Sequence, residues 1–405
     1  MSNNITFHVE NFIRNKVVKR TESLLKDDLE FYHDKLQKEV EGKKVLVIGG
    51  AGTIGSSYVK AILKYSPSKV IVVDTNENGL TELVRDCRST TVLKMPVEFR
   101  TYPINFGDTV FRKLFVSEAP FNIVANFAAH KHVRSEKDIF SIEAMIENNV
   151  IKAKKLLDLL VIYPPAHFFC VSTDKAANPV NIMGASKKLM EEVILAYSDL
   201  IPITTARFAN VAFSNGSLLA GFMERLAKQQ PLSCPSDVKR YFVSPQESGE
   251  ICLIASLLGS SGDILFPKLN DLMKFSDIAR LLLNELNMDM QVCETEEVAR
   301  QQAFLFSNGK QPAYPIYLFP SDTSGEKLYE EFYTLDEHLD MKTFKNLGVI
   351  KNAHRRKRSE LDNIIQRLEE NFIGNTPKES LVKLLQSFMP TFQHIETGYN
   401  LDQKM

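Results

Sequence analysis

Residues 43–55 read KKVLVIGGAGTIG, an apolar run that breaks into a glycine-rich turn. Its first half, KKVLVIG (43–49), is a short apolar run that reads as a buried strand, and Thr53–Tyr65 continues as a helix. Between them Gly49, Gly52 and Gly55 are spaced G-x-x-G-x-x-G, a variant of the dinucleotide fingerprint. The first glycine permits a tight turn, and the second lets backbone N–H groups approach a pyrophosphate. The third lets the helix pack closely, and the helix N-terminus favours an anion. The next strand, KVIVVD (69–74), ends in Asp74, nineteen residues beyond Gly55 (74 − 55). A carboxylate there accepts hydrogen bonds from adenosine ribose hydroxyls and repels a 2′-phosphate. The following TNENG offers no Arg or Lys to such a phosphate, so the pattern predicts NAD rather than NADP.

Working outward, a helix is expected near 78–88, and EFRTYPI, NIVANFAA and HFFCVST supply further strands with helical segments between them. Continuous Val/Ile/Phe runs, rather than strict alternation, fit strands covered on both faces of a parallel sheet. The expected fold class is therefore α/β, a Rossmann-type doubly wound sheet. Residues 43–212 form its nucleotide-binding domain. After about Asn215 the rhythm loosens, with Pro231, Pro235, Pro245 and Pro267 in short connections, and 213–350 reads as a smaller lobe with segments returning to the sheet. Residues 1–42 and 351–405 read as helical extensions. In the first, TESLLKDDLEFYHDKLQKEVEGK has the spacing of one amphipathic helix lying on a core or a partner. The second opens with the basic cluster HRRKRS, a solvated face or helix start, and continues as the helix-like SELDNIIQRLEENF.

Composition narrows the function. The chain has 405 residues, with 44% hydrophobic and 24% charged, which excludes a disordered or fibrous protein. Lys and Arg number 49 against 50 Asp and Glu, a formal charge of −1, so there is no basic excess for general nucleic-acid or membrane-surface binding. The five cysteines contain no C-x-x-C pair, which argues against a disulfide framework or zinc site and for a reducing cytoplasm. The first twenty residues lack a signal peptide's apolar core, and no apolar run reaches the roughly 18 residues of a membrane span.

The strand HFFCVST runs into Ser172-Thr173-Asp174-Lys175 and then AANPVNIMGASKKLMEEV. Carboxyl ends of strands face the ligand crevice in open α/β sheets, which places Thr173, Asp174 and Lys175 where chemistry occurs. An adjacent acid and amine can divide general acid and general base work. Lys187 follows Met183 by four residues, so both project from nearly one helical face. In AAHKHV (128–133), Lys131 follows a buried strand and is expected in the crevice. His130 and His132 flank it without a second metal-ligand cluster, so packing or hydrogen bonding is the expected role and no metal site is assigned.

These pieces resemble extended short-chain dehydrogenase/reductases, specifically the CapD-like nucleotide-sugar 4,6-dehydratases of polysaccharide biosynthesis. The resemblance rests on GGAGTIG, AAHKHV, STDKAANPVNIMGASKKLMEE (172–192), RFANVAFSNGS (207–217), KRYFVSPQES (239–248) and SGEKLYEEF (324–332). Most short-chain dehydrogenases carry Tyr-x-x-x-Lys. Here Met183 holds the Tyr position, as in several CapD-like members, and Tyr65 to Lys69 has the spacing but precedes the second strand.

The resemblance implies a reaction in which hydride leaves C-4 of a hexose, water is lost across C-5 and C-6, and hydride returns to C-6. The product is a 4-keto-6-deoxy sugar, with UDP-N-acetylglucosamine as the expected substrate and a bacterial surface glycan as the destination. Asp174 is the expected general acid, Lys175 the base at C-5, and Thr173 a hydrogen-bond partner of the C-4 oxygen. Lys187 is implied to hold the nicotinamide ribose, and Met183 cannot transfer a proton. Cofactor contacts are implied for Gly49, Gly52, Thr53, Ile54, Gly55, Asp74, Asn105, Ala128 and Lys187. Lys131, Asn210 and Arg240 are implied near the nucleotide diphosphate, where a guanidinium makes bidentate phosphate contacts. Relatives usually have Arg at the places of Thr323 and Asn215, which leaves UDP and GDP both open. A 4-epimerase, possession of the fold without chemistry, and C-5 inversion of the product also stay open. Close relatives form homo-oligomers, which is the expectation here.

Overall fold

The computed structural model describes residues 7–321, 325, 327–374 and 376–396; Thr323, Ser324 and Glu326 lie outside them. Six strands, β1 (Lys44–Ile48), β2 (Lys69–Asp74), β3 (Glu98–Pro103), β4 (Ile123–Asn126), β5 (His167–Val171) and β6 (Ile203–Ala206), run parallel in the order β3-β2-β1-β4-β5-β6. Their apolar runs are continuous because both faces are covered. Val45, Val47, Val70, Val72 and Phe169 enter the core on one face, while Leu46, Ile48, Ile71, Val73 and Phe168 enter the core on the other. The order reverses between β1 and β4, and this opens a crevice at their carboxyl ends.

The remaining strands are β7 (Asn210–Val211), β8 (Leu232–Pro235), β9 (Lys239–Val243), β10 (Ile264–Pro267), β11 (Leu272–Lys274), β12 (Met290–Cys293), β13 (Tyr314–Phe319), β14 (His338–Asp340) and β15 (Leu347–Lys351). β10 joins β6 in parallel, and β15 and β14 follow antiparallel, making nine strands among the described residues. Two three-stranded sheets, β11-β9-β7 and β12-β13-β8, stand apart over a core that includes Phe222, Leu232, Phe242, Ile278 and Tyr314.

The single helix expected in the N-terminal extension is instead two, Lys26–Phe31 and His33–Val40, interrupted at Tyr32. Tertiary contacts override the helical pattern there. The Tyr32 hydroxyl donates to Thr343 O at 3.0 Å, and the buried Asp28 carboxylate accepts from Lys345 N at 2.7 Å and Asn346 N at 2.8 Å. Leu25, Leu36 and Val40 join the first face of the main sheet, while Phe12, Ile13 and Val17 join the core of the small sheets. Arg20 clamps the crossing by donating to both Glu247 oxygens at 2.9 Å.

At the other end the basic cluster forms the helix start expected of it, with His354, Lys357 and Arg358 exposed and two arginines held in ion pairs. Arg356 reaches Glu192 at 2.6 Å and Arg355 reaches Asp199 at 2.6 Å. They seat the helix Arg358–Ile373, whose Leu361, Ile364 and Leu368 cover the second face. Among the described residues no helix is long and apolar enough to cross a membrane.

The fully buried Arg207, just after β6, ties three segments together. Its Nε and NH2 donate to Glu191 at 3.0 and 2.9 Å, its NH1 and NH2 to Glu337 at 2.8 Å each, and NH1 also to Phe332 O at 2.9 Å. Burial raises the Glu191 pKa, but the Arg207 and Lys188 charges and the Ser172 hydroxyl outweigh it, holding the carboxyl below its ordinary value. A depressed pKa stabilises the fold above the unfolded carboxyl value of about 4.3 and loses that contribution as pH falls through the folded value. Arg207→Met leaves the buried Glu191 carboxylate and the half-buried Glu337 carboxylate without their cation and is expected to cost about 3–5 kcal/mol in urea unfolding at neutral pH. The deficit should shrink as acidification protonates the pair.

Candidate active site

The glycine turn is built by sterics. Gly49 has φ +76°, and a Cβ there would stand 2.4 Å from Ala128 N. A Cβ on Gly55 would stand 2.2 Å from Gly49 O, so the helix Thr53–Leu63 can approach the turn only without one. Gly52 differs: a Cβ there would meet only Gly49 O, at 3.6 Å, which leaves the space in front of the turn open. Asp74 at the end of β2 ties the turn down, its Oδ2 accepting from Ala51 N and its Oδ1 from Asn76 N, both at 2.9 Å. Thr53 Oγ1 accepts from Asn215 N at 2.9 Å, and Lys131 Nζ donates to Asn215 O at 2.9 Å. The backbone of Asn215 thus joins the turn to the loop after β4. Asn149 holds that loop through both its amide atoms, at 2.8 and 2.9 Å from the backbone of His130.

The turn opens onto a cleft of about 860 Å³, lined also by Ile54, Asn105, Ala128, His130, Lys131, Asn210 and Arg240. Lys131 stays solvent-accessible, yet the cleft walls desolvate its ammonium enough to pull its pKa below the ordinary lysine value. Burial, with a smaller contribution from Lys152, likewise lowers the His130 pKa.

The carboxyl end of β5 enters the same cleft. Thr173 caps a short turn at Asp174–Ala176, and its Oγ1 donates to Asp174 Oδ1 at 2.8 Å. The same carboxylate oxygen accepts from Lys175 N at 2.9 Å and from Lys175 Nζ at 3.0 Å. Asp174 is only 4% exposed, while Lys175 is half-buried and lines the cleft. Asn181 caps the helix Ile182–Leu195, accepting from Gly184 N at 2.6 Å and donating through Nδ2 to Gly325 O at 2.7 Å. On that helix Met183 lines the cleft while 2% exposed, and its N–H donates to Glu136 Oε1 at 2.9 Å. Lys187 Nζ donates to Val171 O at 2.7 Å, and burial pulls its pKa down.

Arg240 does not present its whole fork to the cleft. Its NH1 donates to Lys239 O, Lys327 O and Leu328 O at 2.8, 2.9 and 3.2 Å, and its NH2 lies 3.8 Å from Glu330 Oε1. Glu330 is the residue that reading the sequence passed over. It is buried in the cleft wall, with Oε1 3.7 Å from Lys175 Nζ. Burial raises its pKa, Asp174 adds to the rise, and Lys175, Arg240 and Lys327 oppose it. Its one signal was membership of the stretch SGEKLYEEF. Tyr65 is buried and Lys69 is paired with Glu118 at the amino end of β2, away from this cleft. Among the described residues no cluster of three or more His, Cys, Asp or Glu is arranged to hold a metal ion.

A crevice at the switch point of a doubly wound sheet, with a glycine turn on one side and an acid–amine pair on the other, is the architecture of the extended short-chain dehydrogenase/reductase fold. The chain belongs to the polysaccharide biosynthesis protein family, whose model matches residues 45–352. It is 26% identical over 373 residues to the capsular polysaccharide biosynthesis protein CapD of Staphylococcus aureus, covering 91% of this chain and 57% of that protein. It is 26% identical over 255 residues to an inverting UDP-N-acetylglucosamine 4,6-dehydratase of Campylobacter jejuni, covering 61% of this chain and 72% of the relative. UDP-glucose 4-epimerase of Rickettsia bellii matches at a comparable 27% over 56% of this chain. The fold is shared with the dTDP-glucose 4,6-dehydratase DesIV of Streptomyces venezuelae, solved with NAD and TYD bound. The TM-score is 0.54 at 20% identity, over 71% of this chain and 88% of that one.

Asn181→Ala removes a helix cap and strands the Gly325 carbonyl. Together these losses are expected to cost about 2–3 kcal/mol, read as a lowered urea midpoint with an unchanged m-value.

Proposed function

We propose that the protein is an NAD-dependent nucleotide-sugar 4,6-dehydratase acting on UDP-N-acetylglucosamine for synthesis of a surface glycan. The observation that carries this reading is the pair Asp174–Lys175, 3.0 Å apart at the end of β5 and facing the cleft that the glycine turn enters. Residues 43–212 would hold the cofactor, and 213–350 would bind the nucleotide sugar. The work would be done in the cytoplasm by a homo-oligomer.

The glycine turn fits a dinucleotide, because the space in front of Gly52 is free and the first-turn N–H groups of Thr53, Ile54 and Gly55 are unused within the helix. Asp74 keeps lone pairs beyond its two backbone bonds to meet ribose hydroxyls. When bound, NAD supplies the hydride acceptor and, later in the turnover, the hydride donor.

The protein's part is acid–base work. Passing one proton from Lys175 Nζ to Asp174 Oδ1 converts the ion pair into a neutral amine and a carboxylic acid. Those are the two forms that elimination requires. The amine removes the C-5 hydrogen made acidic by the C-4 ketone, and the acid protonates the C-6 hydroxyl so that water leaves. The elimination restores the ion pair. Thr173 hydrogen-bonds the C-4 oxygen, and Lys187 steadies the cofactor ribose. Lys131, Asn210 and Arg240 act toward the diphosphate, Arg240 through the edge that its carbonyl bonds leave free.

Incubation with NAD and UDP-N-acetylglucosamine is expected to give a product lighter by one water in mass spectrometry. Unchanged mass with altered retention would mark an epimerase, and unreacted sugar a binding protein. Lys175→Ala is expected to abolish turnover while NAD still binds. Asp74→Ala should free the glycine turn and weaken NAD binding by about tenfold or more, measured by calorimetric titration.

A further inference from the structure

The proton inventory of this reaction asks for one more group than the chain's acid–amine pair provides. Hydride leaves C-4 only as the C-4 hydroxyl gives up a proton. The C-5 hydrogen then leaves as a second proton. Met183, where most of the superfamily has an ionisable tyrosine, can take neither. Lys175 can act as base twice in one turnover only if it hands the first proton on before the second arrives.

Four carboxyl groups line the cleft among the described residues: Asp74, Asp174, Glu224 and Glu330. Asp74 is bound into the glycine turn, and Glu224 is a surface residue ion-paired with Arg225 and Lys228. Asp174 is already needed, as the acid at C-6. Glu330 Oε1 lies 3.7 Å from Lys175 Nζ, buried in the wall beside it. The charged groups facing it are Lys175, Asp174, Arg240 and Lys327. Its segment is stitched on three sides. Arg240 holds Lys327 O and Leu328 O, Lys327 Nζ donates to Asn178 O at 2.6 Å, and Arg207 holds Phe332 O.

Resting on the dehydratase reading, we infer that Glu330 is the proton acceptor that empties Lys175 between its two uses. The cycle balances. It starts with Asp174 protonated, Lys175 neutral and Glu330 ionised. Lys175 takes the C-4 hydroxyl proton as hydride leaves C-4, and passes that proton to Glu330. Lys175 then takes the C-5 proton while Asp174 gives its proton to the departing C-6 hydroxyl, and water is lost. Hydride returns to C-6, and Lys175 returns a proton to C-5. Glu330 finally gives its proton back through Lys175 to Asp174, restoring the starting state. Burial and the neighbouring Asp174, which raise the Glu330 pKa, suit a group that must hold a proton briefly. Glu330 acts through Lys175 and is a positioning residue in that sense, with no contact to the sugar required.

The test uses the full chain with NAD and UDP-N-acetylglucosamine. Glu330→Gln should lower kcat by about 100-fold or more with little change in KM. In a single turnover it should still oxidise C-4, seen as reduced-nicotinamide absorbance. It should then stall, so that solvent deuterium enters C-5 slowly. Added formate should restore dehydration to Glu330→Ala, standing in for the lost carboxylate. Unchanged urea midpoints, or activity in Glu330→Asp where Glu330→Gln folds poorly, keep the result readable. Dehydration by Glu330→Gln within about twofold of the parent overturns the inference, as does equal loss of both half-reactions without formate rescue. If the parent protein dehydrates no nucleotide sugar, the dehydratase reading fails instead.

Discussion

A fully buried guanidinium tolerates almost no alternative geometry, and the cleft inherits its shape from that constraint. Arg207 has lost its hydration, so every donor it carries must find an acceptor, and it finds them on two carboxylates and a backbone carbonyl. Glu191 belongs to the helix that bears Met183 and Lys187, while Glu337 and Phe332 belong to the segment that bears Glu330. Ser172, next to Thr173, donates to the same Glu191 at 2.6 Å. One buried cation therefore sets the relative placement of β5, its following helix and the 330–337 segment. A pair of carboxylic acid and amine functions needs sub-ångström placement to work, and loops alone would not supply it.

What could be read in the sequence was what is encoded locally. The strand–glycine turn–helix unit, the parallel sheet and the acid–amine pair at a strand end each follow from spacing within a few residues. So does the helix carrying Met183 and Lys187. Glu330 lies about 155 residues beyond Lys175 (330 − 175) and gains its meaning only when Arg207 and Arg240 draw its segment across the cleft. Nothing in K-L-Y-E distinguishes that glutamate from its exposed neighbour Glu331. Asn215 was read through its side chain, whereas its backbone is what connects Thr53 to Lys131. The interruption at Tyr32 was equally hidden, because Asp28 and Tyr32 answer to residues 343–346 at the far end of the chain.

The terminal extensions act on the cleft indirectly. The first lies across both the main sheet and the core of the small sheets, so it couples the two walls that the cleft separates. The second packs its helices on the opposite face, and its last described segment returns to the site. Ile395 N donates to Val180 O at 2.9 Å, and Gly325 N donates to Ile395 O at 3.0 Å. Asn181, the cap of the Met183 helix, holds the other side of Gly325. The backbone of Val180, Gly325 and Ile395 and the Asn181 side chain thereby form one continuous hydrogen-bonded patch at the start of the Met183 helix.

A methionine at position 183 makes physical sense against that background. A tyrosine at this position would supply an ionisable group from the helix, and a thioether supplies only volume in a site 2% exposed. The ionisable groups beside it form a compact set. Asp174 and Glu330 face Lys175 at 3.0 and 3.7 Å, and Arg240 stands 3.8 Å from Glu330. Two carboxylates stand against an ammonium and a guanidinium, with Lys327 the further cation facing Glu330. A proton moved from one member to another rearranges dipoles inside the set without changing its total charge, so the surrounding low-dielectric wall opposes the transfer little. In the proposed chemistry a proton handed from Lys175 to Glu330 would stay within this set, which compensates for a helix that offers no phenol.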